Sequence, residues 1–64
     1  MKTYMEFRHL PVNAIFHGLG ATGPFIKVAR DEYRRFCHLD RSIIKAGASV
    51  QQRTVRLEKV ATRR

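Results

Sequence analysis

The stretch Gly18-Leu19-Gly20-Ala21-Thr22-Gly23-Pro24 separates two apolar runs, residues 12–16 before it and residues 25–28 after it. β-Branched and aromatic residues on both sides of a glycine-containing connection are typical of a β-hairpin. The sequence therefore predicts strands at residues 14–17 and 25–28, joined by this loop. A loop of this length does not fix which residues of the two strands face each other.

The same stretch spells G-x-G-x-x-G, the fingerprint of dinucleotide-binding loops. In that role the glycines lead from a strand into a helix of a βαβ unit, and an acidic residue about 20 positions on holds the ribose. Asp40 stands at a suitable distance, but 64 residues leave no room for the remaining parallel strands and crossovers. We therefore interpret the glycines as a turn and predict no cofactor.

The length of 64 residues allows one domain, predicted at residues 1–61, with residues 62–64 as a basic tail. A chain this short buries only about 60% of the surface that its unfolded form exposes, so its core is thin. There are six aromatic residues and no Trp to fill it. The residues predicted to anchor the core are Phe7, Phe16, Phe25, Tyr33 and Phe36.

Cys37 is the single cysteine, so an internal disulfide is excluded and a reducing cytosol is indicated. No apolar run approaches the roughly 20 residues of a membrane span, and the first residues lack the apolar region of a secretory signal. We therefore expect a cytoplasmic protein without a membrane partner. A thin core without disulfide or metal also favours support from a partner chain, including a second copy of this one.

Two architectures fit the remaining segments. In the first, the chain is a small all-β or β-rich α+β domain: a meander of three to five short strands, curled in the manner of an SH3-like barrel. It includes a strand or extended arm within residues 4–10, a turn in which Asn13 takes a left-handed conformation, and a short helix within residues 31–39. In the second it is mostly helical, with helices at residues 24–39 and 49–61 in a helix-turn-helix-like arrangement. Over residues 24–39 the helical periodicity of apolar residues favours the second architecture, whereas the β-formers directly after the glycine loop favour the first.

The amino-terminal half resembles a set of short, mostly uncharacterised phage and prophage-type proteins. Their pattern is F-x-x-L-P-V-G-x-x-F, a glycine-containing turn, aromatic-x-K-V and a following Tyr-Arg. The resemblance implies a small β-rich fold, so we favour the first architecture, with residues 25–28 as a strand. It also implies an accessory role, in the host cytoplasm if the gene is phage-borne, and no defined activity. This chain has Asn13 where the pattern has glycine, and a longer loop. The matching positions are Phe7, Leu10, Pro11, Val12, Phe16, Phe25, Lys27, Val28, Tyr33 and Arg34.

Neither metal binding nor catalysis is supported by residue spacing. Structural zinc sites use closely spaced pairs of ligands, whereas His9 and His17 are far apart and Cys37 and His38 are adjacent. A cysteine nucleophile also needs a base that a third group orients, and the sequence offers none. The five acidic residues stand mostly among Arg and Lys, as in solvated ion pairs. We therefore predict no metal site, no catalytic residue and no enzymatic activity.

The strongest functional signal is charge. Thirteen Lys and Arg against five Asp and Glu give a net charge of +8, and residues 29–64 carry ten of the basic groups. Such a potential attracts nucleic acid or acidic protein surfaces, and arginine favours bidentate contact with phosphate or carboxylate. The residues predicted to bind an anionic partner are Arg30, Arg34, Arg35, Arg41, Lys45, Arg53, Arg56 and Lys59.

Two functions compete for this basic surface. The first is a nucleic-acid-binding accessory protein, with Arg34, Arg35, Arg53, Arg56 and Lys59 on phosphates. The second is a protein-interaction module, such as a phage inhibitor or adaptor that docks on an acidic host protein. A small structural component of a larger assembly is a further possibility. Tyr33 and Phe36 alternate with arginines as a base-stacking surface would, but we assign both to the core because large apolar residues are scarce.

Overall fold

A computed structural model describes residues 2–20 and 23–61 of the chain. They form a small all-β domain, as the sequence predicts. The elements are β1 (Thr3–Glu6), a 3₁₀ helix (Phe7–His9), β2 (Ala14–His17), β3 (Phe25–Ala29), β4 (Glu32–Arg35), β5 (Ile44–Lys45), α1 (Ala48–Gln51) and β6 (Thr54–Val60). The predicted basic tail, residues 62–64, lies outside the described residues.

The six strands form one antiparallel sheet in the order β1-β6-β2-β3-β4-β5. Strands β2 to β5 follow one another as a meander, and β6 returns to lie between β1 and β2. The sequence predicted three to five strands. The number was too low because β5 has only two residues, too few to produce a recognisable strand pattern. In the part of the chain that the structure describes, β1 and β5 are the sheet edges, so no strand ladder closes the sheet into a barrel.

The glycine loop connects β2 to β3 as the predicted hairpin. Phe16 pairs with Phe25 and Ile15 with Ile26 across the two strands. Gly18 has φ +123°, and a Cβ atom placed there would lie 3.3 Å from Cα of Val55 on β6. Gly18 is therefore needed both for its backbone conformation and for the close approach of the loop to β6.

The turn before β2 depends on Asn13, which has φ 76° as the sequence predicts. Its backbone N–H donates to the carbonyl of Lys27 at 2.8 Å, and its carbonyl accepts from Ala61 at 2.8 Å. Asn tolerates this left-handed conformation better than most residues. The turn thus joins the start of β2 to the middle of β3 and to the residue that follows β6.

The core lies on one face of the sheet and consists largely of aromatic rings. Phe7 and Phe16 are fully buried, their centroids are 5.6 Å apart, and Phe25 and Tyr33 complete the cluster at similar spacings. The prediction that Phe36 also anchors the core was wrong, since it is 47% exposed. Successive side chains of a strand point to opposite faces of the sheet. Phe36, just after β4, is two positions from Arg34 and therefore takes the face of Arg34, opposite to that of the buried Tyr33.

Both predicted helical alternatives were wrong. Residues 24–39 contain β3 and β4, and the short helix expected within residues 31–39 is absent because Glu32–Arg35 pairs with β3 and β5. In residues 49–61 only the turn Ala48–Gln51 is helical, and Gly47 is its cap. Thr54–Val60 is extended because hydrogen-bonded neighbours on both sides, β1 and β2, satisfy its backbone.

Candidate anion-binding surface

Each of the five Asp and Glu side chains lies within 4 Å of a basic side chain. Glu6 pairs with Arg8, Glu58 with His17, and Asp40 with Arg35 at 3.9 Å. Asp31 and Glu32 both lie within 4 Å of Nζ of Lys45. Hydrogen bonds from Ser42, and then the charge of Arg35, hold the pKa of Asp40 below its usual value. Among the described residues, the predicted cations left without a carboxylate are Arg30, Arg34, Arg41, Arg53, Arg56 and Lys59.

Two of these cations flank an apolar row on the sheet face opposite the core. The register places Lys59 beside Ile15, Ile15 beside Ile26, and Ile26 beside Arg34. Residues paired in an antiparallel ladder share a face of the sheet. Ile15 and Ile26 are 3% and 7% exposed yet lie outside the core cluster, and the aliphatic stems of Lys59 and Arg34 are in position to cover them.

A second row on the same face contains Arg56. It pairs with Tyr4 on one side and with His17 on the other. Nε2 of His17 lies 2.5 Å from Oε1 of Glu58, which occupies a β-bulge in β6 opposite Ile15 and Phe16. The bulge turns the direction of β6 locally, so Arg56 and Lys59 come to the same face although three positions separate them. We call Arg34, Arg56 and Lys59 the outer-face cations.

A cleft opens beside Arg34 at the end of β4. Its volume is about 190 Å³, and Arg34, Phe36, Cys37, His38 and Arg41 line it. The backbone here is held in place, because Phe36 N donates to the carbonyl of Pro24 at 3.0 Å and Nη1 of Arg34 donates to the carbonyl of Arg35 at 3.2 Å. The half-exposed Phe36 thus lines a cleft together with Arg34 and Arg41.

The remaining predicted residues lie elsewhere. Arg30 is in the turn between β3 and β4, where it lines a separate cavity of about 490 Å³ with Arg8, His9 and Gln51. Arg53 is exposed just before β6. Arg35 and Lys45 are paired with acids, and the neighbouring carboxylates raise the pKa of Lys45. The eight predicted residues therefore do not form one patch.

Lys27 is the basic residue that sequence reasoning missed. It is 2% exposed, and its Nζ donates to the carbonyls of Phe7 and Leu10, both at 2.9 Å. Burial, and then the charge of Arg30, lower its pKa. The alternation of side chains along β3 indicates this burial, because Lys27 lies two positions after Phe25 and therefore points to the same face as that core residue. Its side chain stabilises the fold and leaves the surface charge smaller than the composition suggests.

The other candidate chemistries can be placed as well. In residues 2–20 and 23–61 no three His, Cys, Asp or Glu side chains are grouped to hold a metal ion. Sγ of Cys37 accepts a hydrogen bond from Leu39 N at 3.4 Å, and His38 is exposed. Over the same residues, no helix is long and apolar enough to cross a bilayer.

Comparison of the chain with protein-family models, with curated proteins and with solved structures gives no match. The resemblance to phage and prophage-type proteins stays a prediction. The outer-face cations and the cleft beside Arg34 are therefore the features of the molecule that indicate a function.

Proposed function

We propose that this chain is a small accessory protein that binds nucleic acid, with Arg34, Arg56 and Lys59 contacting phosphates. The observation that carries the proposal is the position of Arg34. It has no carboxylate partner among the described residues, stands in register with Lys59 across the sheet, and lines the cleft that contains the exposed ring of Phe36. Cations near an accessible aromatic ring provide the two contacts that nucleic acids accept, through phosphate and base.

This proposal narrows the set of contacts expected from sequence. Arg35 is removed because Asp40 competes for it, and Arg41 is added because it lines the cleft. Arg53 is exposed but does not line any cleft described here. We therefore keep it as a phosphate contact of lesser importance. The lone cysteine continues to favour the cytoplasm as the place of action.

Salt dependence of binding tests the proposal. Each phosphate contact releases counterions, and the slope of log K against log salt is about −0.9 per contact on duplex and −0.7 on single strands. The contacts of Arg34, Arg56 and Lys59 alone predict that affinity falls about 20- to 40-fold between about 50 and 200 mM salt, and a contact by Arg41 makes the fall steeper. A flat salt response, or no binding of DNA or RNA at low salt, would overturn the proposal.

Charge-matched variants make this test specific to the surface. Arg34→Gln should reduce the magnitude of the salt slope by about 0.7–0.9, since it removes one phosphate contact. Lys45→Gln is the control, because it changes the net charge equally but removes a side chain already paired with Asp31 and Glu32. Equal effects of both substitutions would mean that net charge, and not the outer face, determines binding.

The second candidate function is a protein-interaction module, which exposed apolar residues between β4 and β5 and at the start of β5 favour. Leu39 is 95% exposed, Ile43 52% and Ile44 39%. Apolar exposure next to cations suits an acidic protein partner as well. Retention of a host protein by the immobilised chain after nuclease treatment, with loss of retention in Leu39→Ser, would favour this function over nucleic-acid binding.

A further inference from the structure

We infer that the cleft beside β4 takes a single unpaired base, stacked on the ring of Phe36, so that the preferred ligand is a single-stranded nucleic acid. The inference depends on the proposed function and names the ligand class of its site. It starts from the exposure of Phe36. A chain with six aromatic residues and no Trp leaves a Phe 47% exposed although its core has few large side chains.

Hydrogen bonds fix the backbone that carries the ring of Phe36. Phe36 N donates to the carbonyl of Pro24 at 3.0 Å, and Cys37 N donates to the carbonyl of Arg35 at 2.9 Å. The peptide groups on both sides of Phe36 are therefore fixed to the end of the sheet. With the backbone fixed, only the two side-chain torsions of Phe36 remain to be ordered when another flat group stacks on its ring.

The cleft has room for a small flat group only. Its volume of about 190 Å³ is below the roughly 300–1,000 Å³ of pockets that enclose a complete small-molecule ligand. One heterocyclic ring fits that size, with the rest of the ligand outside. Cationic Arg34 and Arg41 line the same cleft, so the ligand should carry negative charge close to its ring. A nucleotide within a strand has this arrangement.

The geometry also favours single strands over duplexes. Bases of a duplex are stacked on one another and cannot lie on a ring at the protein surface, whereas bases of a single strand can be splayed out. Phosphates on either side of the stacked base could reach Arg34 and Arg41, and the strand could continue towards Lys59 along the sheet face. Stacking on an aromatic ring tolerates every base, so we expect weak sequence preference.

The test measures binding of the full chain to three labelled ligands of equal length by fluorescence anisotropy: a thymidine oligonucleotide, the same oligonucleotide with abasic sites throughout, and a duplex. Loss of base stacking corresponds to about a 5- to 150-fold change in affinity. We expect Phe36→Ala to weaken thymidine binding by that factor and to leave abasic binding unchanged. Equal affinity of wild type for the thymidine and abasic strands would overturn the inference.

Two further variants control for folding and for hydrophobic contact. Phe36→Leu keeps an apolar side chain but has no ring, so it should behave as Phe36→Ala does. Leu39→Ala removes an apolar side chain from the same segment but outside the cleft lining, so it should bind thymidine as wild type does. Wild-type binding by Phe36→Leu, or a defect in Leu39→Ala equal to that of Phe36→Ala, would contradict base stacking.

The chain has no Trp, so Phe36→Trp introduces a single tryptophan into the cleft. Its fluorescence should be quenched by the thymidine strand and not by the abasic strand, since quenching requires a stacked base. Failure of the inference can be distinguished from failure of the proposed function. Abasic binding that depends on salt and on Arg34 but not on Phe36 leaves the proposed function intact, whereas no binding to any of the three ligands at low salt overturns both.

Discussion

The ammonium group of Lys27 lies 4.5 Å from the ring centroid of Phe7 and donates a hydrogen bond to the carbonyl oxygen of the same residue. A second hydrogen bond joins it to the carbonyl of Leu10, so one buried side chain holds the 3₁₀ helix and the following turn against β3. Even a neutral amine has two N–H bonds, enough for both carbonyls. Lys27 therefore suits its site in either protonation state.

Replacing Lys27 should destabilise the fold. Lys27→Met keeps the length of the side chain but leaves the carbonyl of Leu10 without its donor, and a buried unsatisfied group costs about 1–3 kcal/mol. We expect the free energy of unfolding, measured by urea denaturation, to fall by that amount. Lys59→Met makes the same chemical change at an exposed position and should alter stability by less than about 0.5 kcal/mol. Similar losses in both variants would rule out a special contribution from Lys27.

The two lysines with shifted pKa values should titrate on opposite sides of the ordinary value of 10.5. Burial and Arg30 lower the pKa of Lys27, whereas Glu32 and Asp31 raise that of Lys45. NMR titration of the side-chain methylene signals next to each amine can measure both. A pKa for Lys27 at or above that of Lys45 would contradict the burial seen here.

The sign of the pH dependence of stability follows. Below pH 10.5 the unfolded chain binds more protons at position 27 than the folded chain does, so the free energy of unfolding should rise with pH between the lowered pKa of Lys27 and 10.5. Lys45 contributes oppositely, and its contribution is lost as pH rises above 10.5. Subtracting the stability curve of Lys27→Met from that of wild type isolates the rise that Lys27 causes.

Phe16 and Phe36 should differ sharply in their effect on stability although the sequence assigns both to the core. Phe16 is 0% exposed at the centre of the aromatic cluster, so Phe16→Ala should cost about 3–5 kcal/mol. Phe36→Ala should cost no more than about 1 kcal/mol, because half of the ring is already in water. Thermal unfolding followed by circular dichroism measures both. A loss above about 2 kcal/mol in Phe36→Ala would mean that Phe36 is a core residue after all.

The glycine loop provides a matched pair of Gly→Ala substitutions. Gly23 has φ +60° and open space around its Cβ position. Gly23→Ala should therefore lower the free energy of unfolding by about 1–2 kcal/mol, the cost of holding alanine in a left-handed conformation. Gly18→Ala should cost more, since φ +123° is less favourable and the new methyl group would meet Val55 at 3.3 Å. Equal denaturant midpoints for the two variants would show that the loop does not approach β6 closely.

The sequence predicts local features well. The hairpin at Gly18 and the left-handed turn at Asn13 depend on neighbours within a few positions, and both were predicted. In residues 49–61, Val50, Thr54 and Leu57 share a helical face, whereas Val55 and Leu57 alternate with polar residues as in a strand. Only the distant partners β1 and β2 decide the question, and local propensity carries no information about them.

The candidate site was only partly predictable for the same reason. Its residue types were identified, including Arg34, Arg56 and Lys59, but composition does not show which cations are neutralised. Lys45 reaches Asp31 and Glu32 because β4 pairs with β5, which places Glu32 opposite Lys45, 13 positions later in the chain. The buried Lys27 donates to the carbonyl of Phe7, which is 20 positions away in the chain. The assignment of Phe36 to the core depended on the scarcity of large apolar residues and did not consider which face of the strand its side chain takes.

The position of β6 between β1 and β2 has a consequence for synthesis of the chain. Thr3 pairs with Leu57, so β1 has no neighbour until residues 54–60 have left the ribosome. Until then the hairpin of β2 and β3 carries an unsatisfied edge on its β6 side. Pairings between such distant segments slow folding, because loop closure must precede the contacts that reward it. Until β6 pairs, the chain therefore presents unsatisfied strand edges on β1 and β2, which favour aggregation.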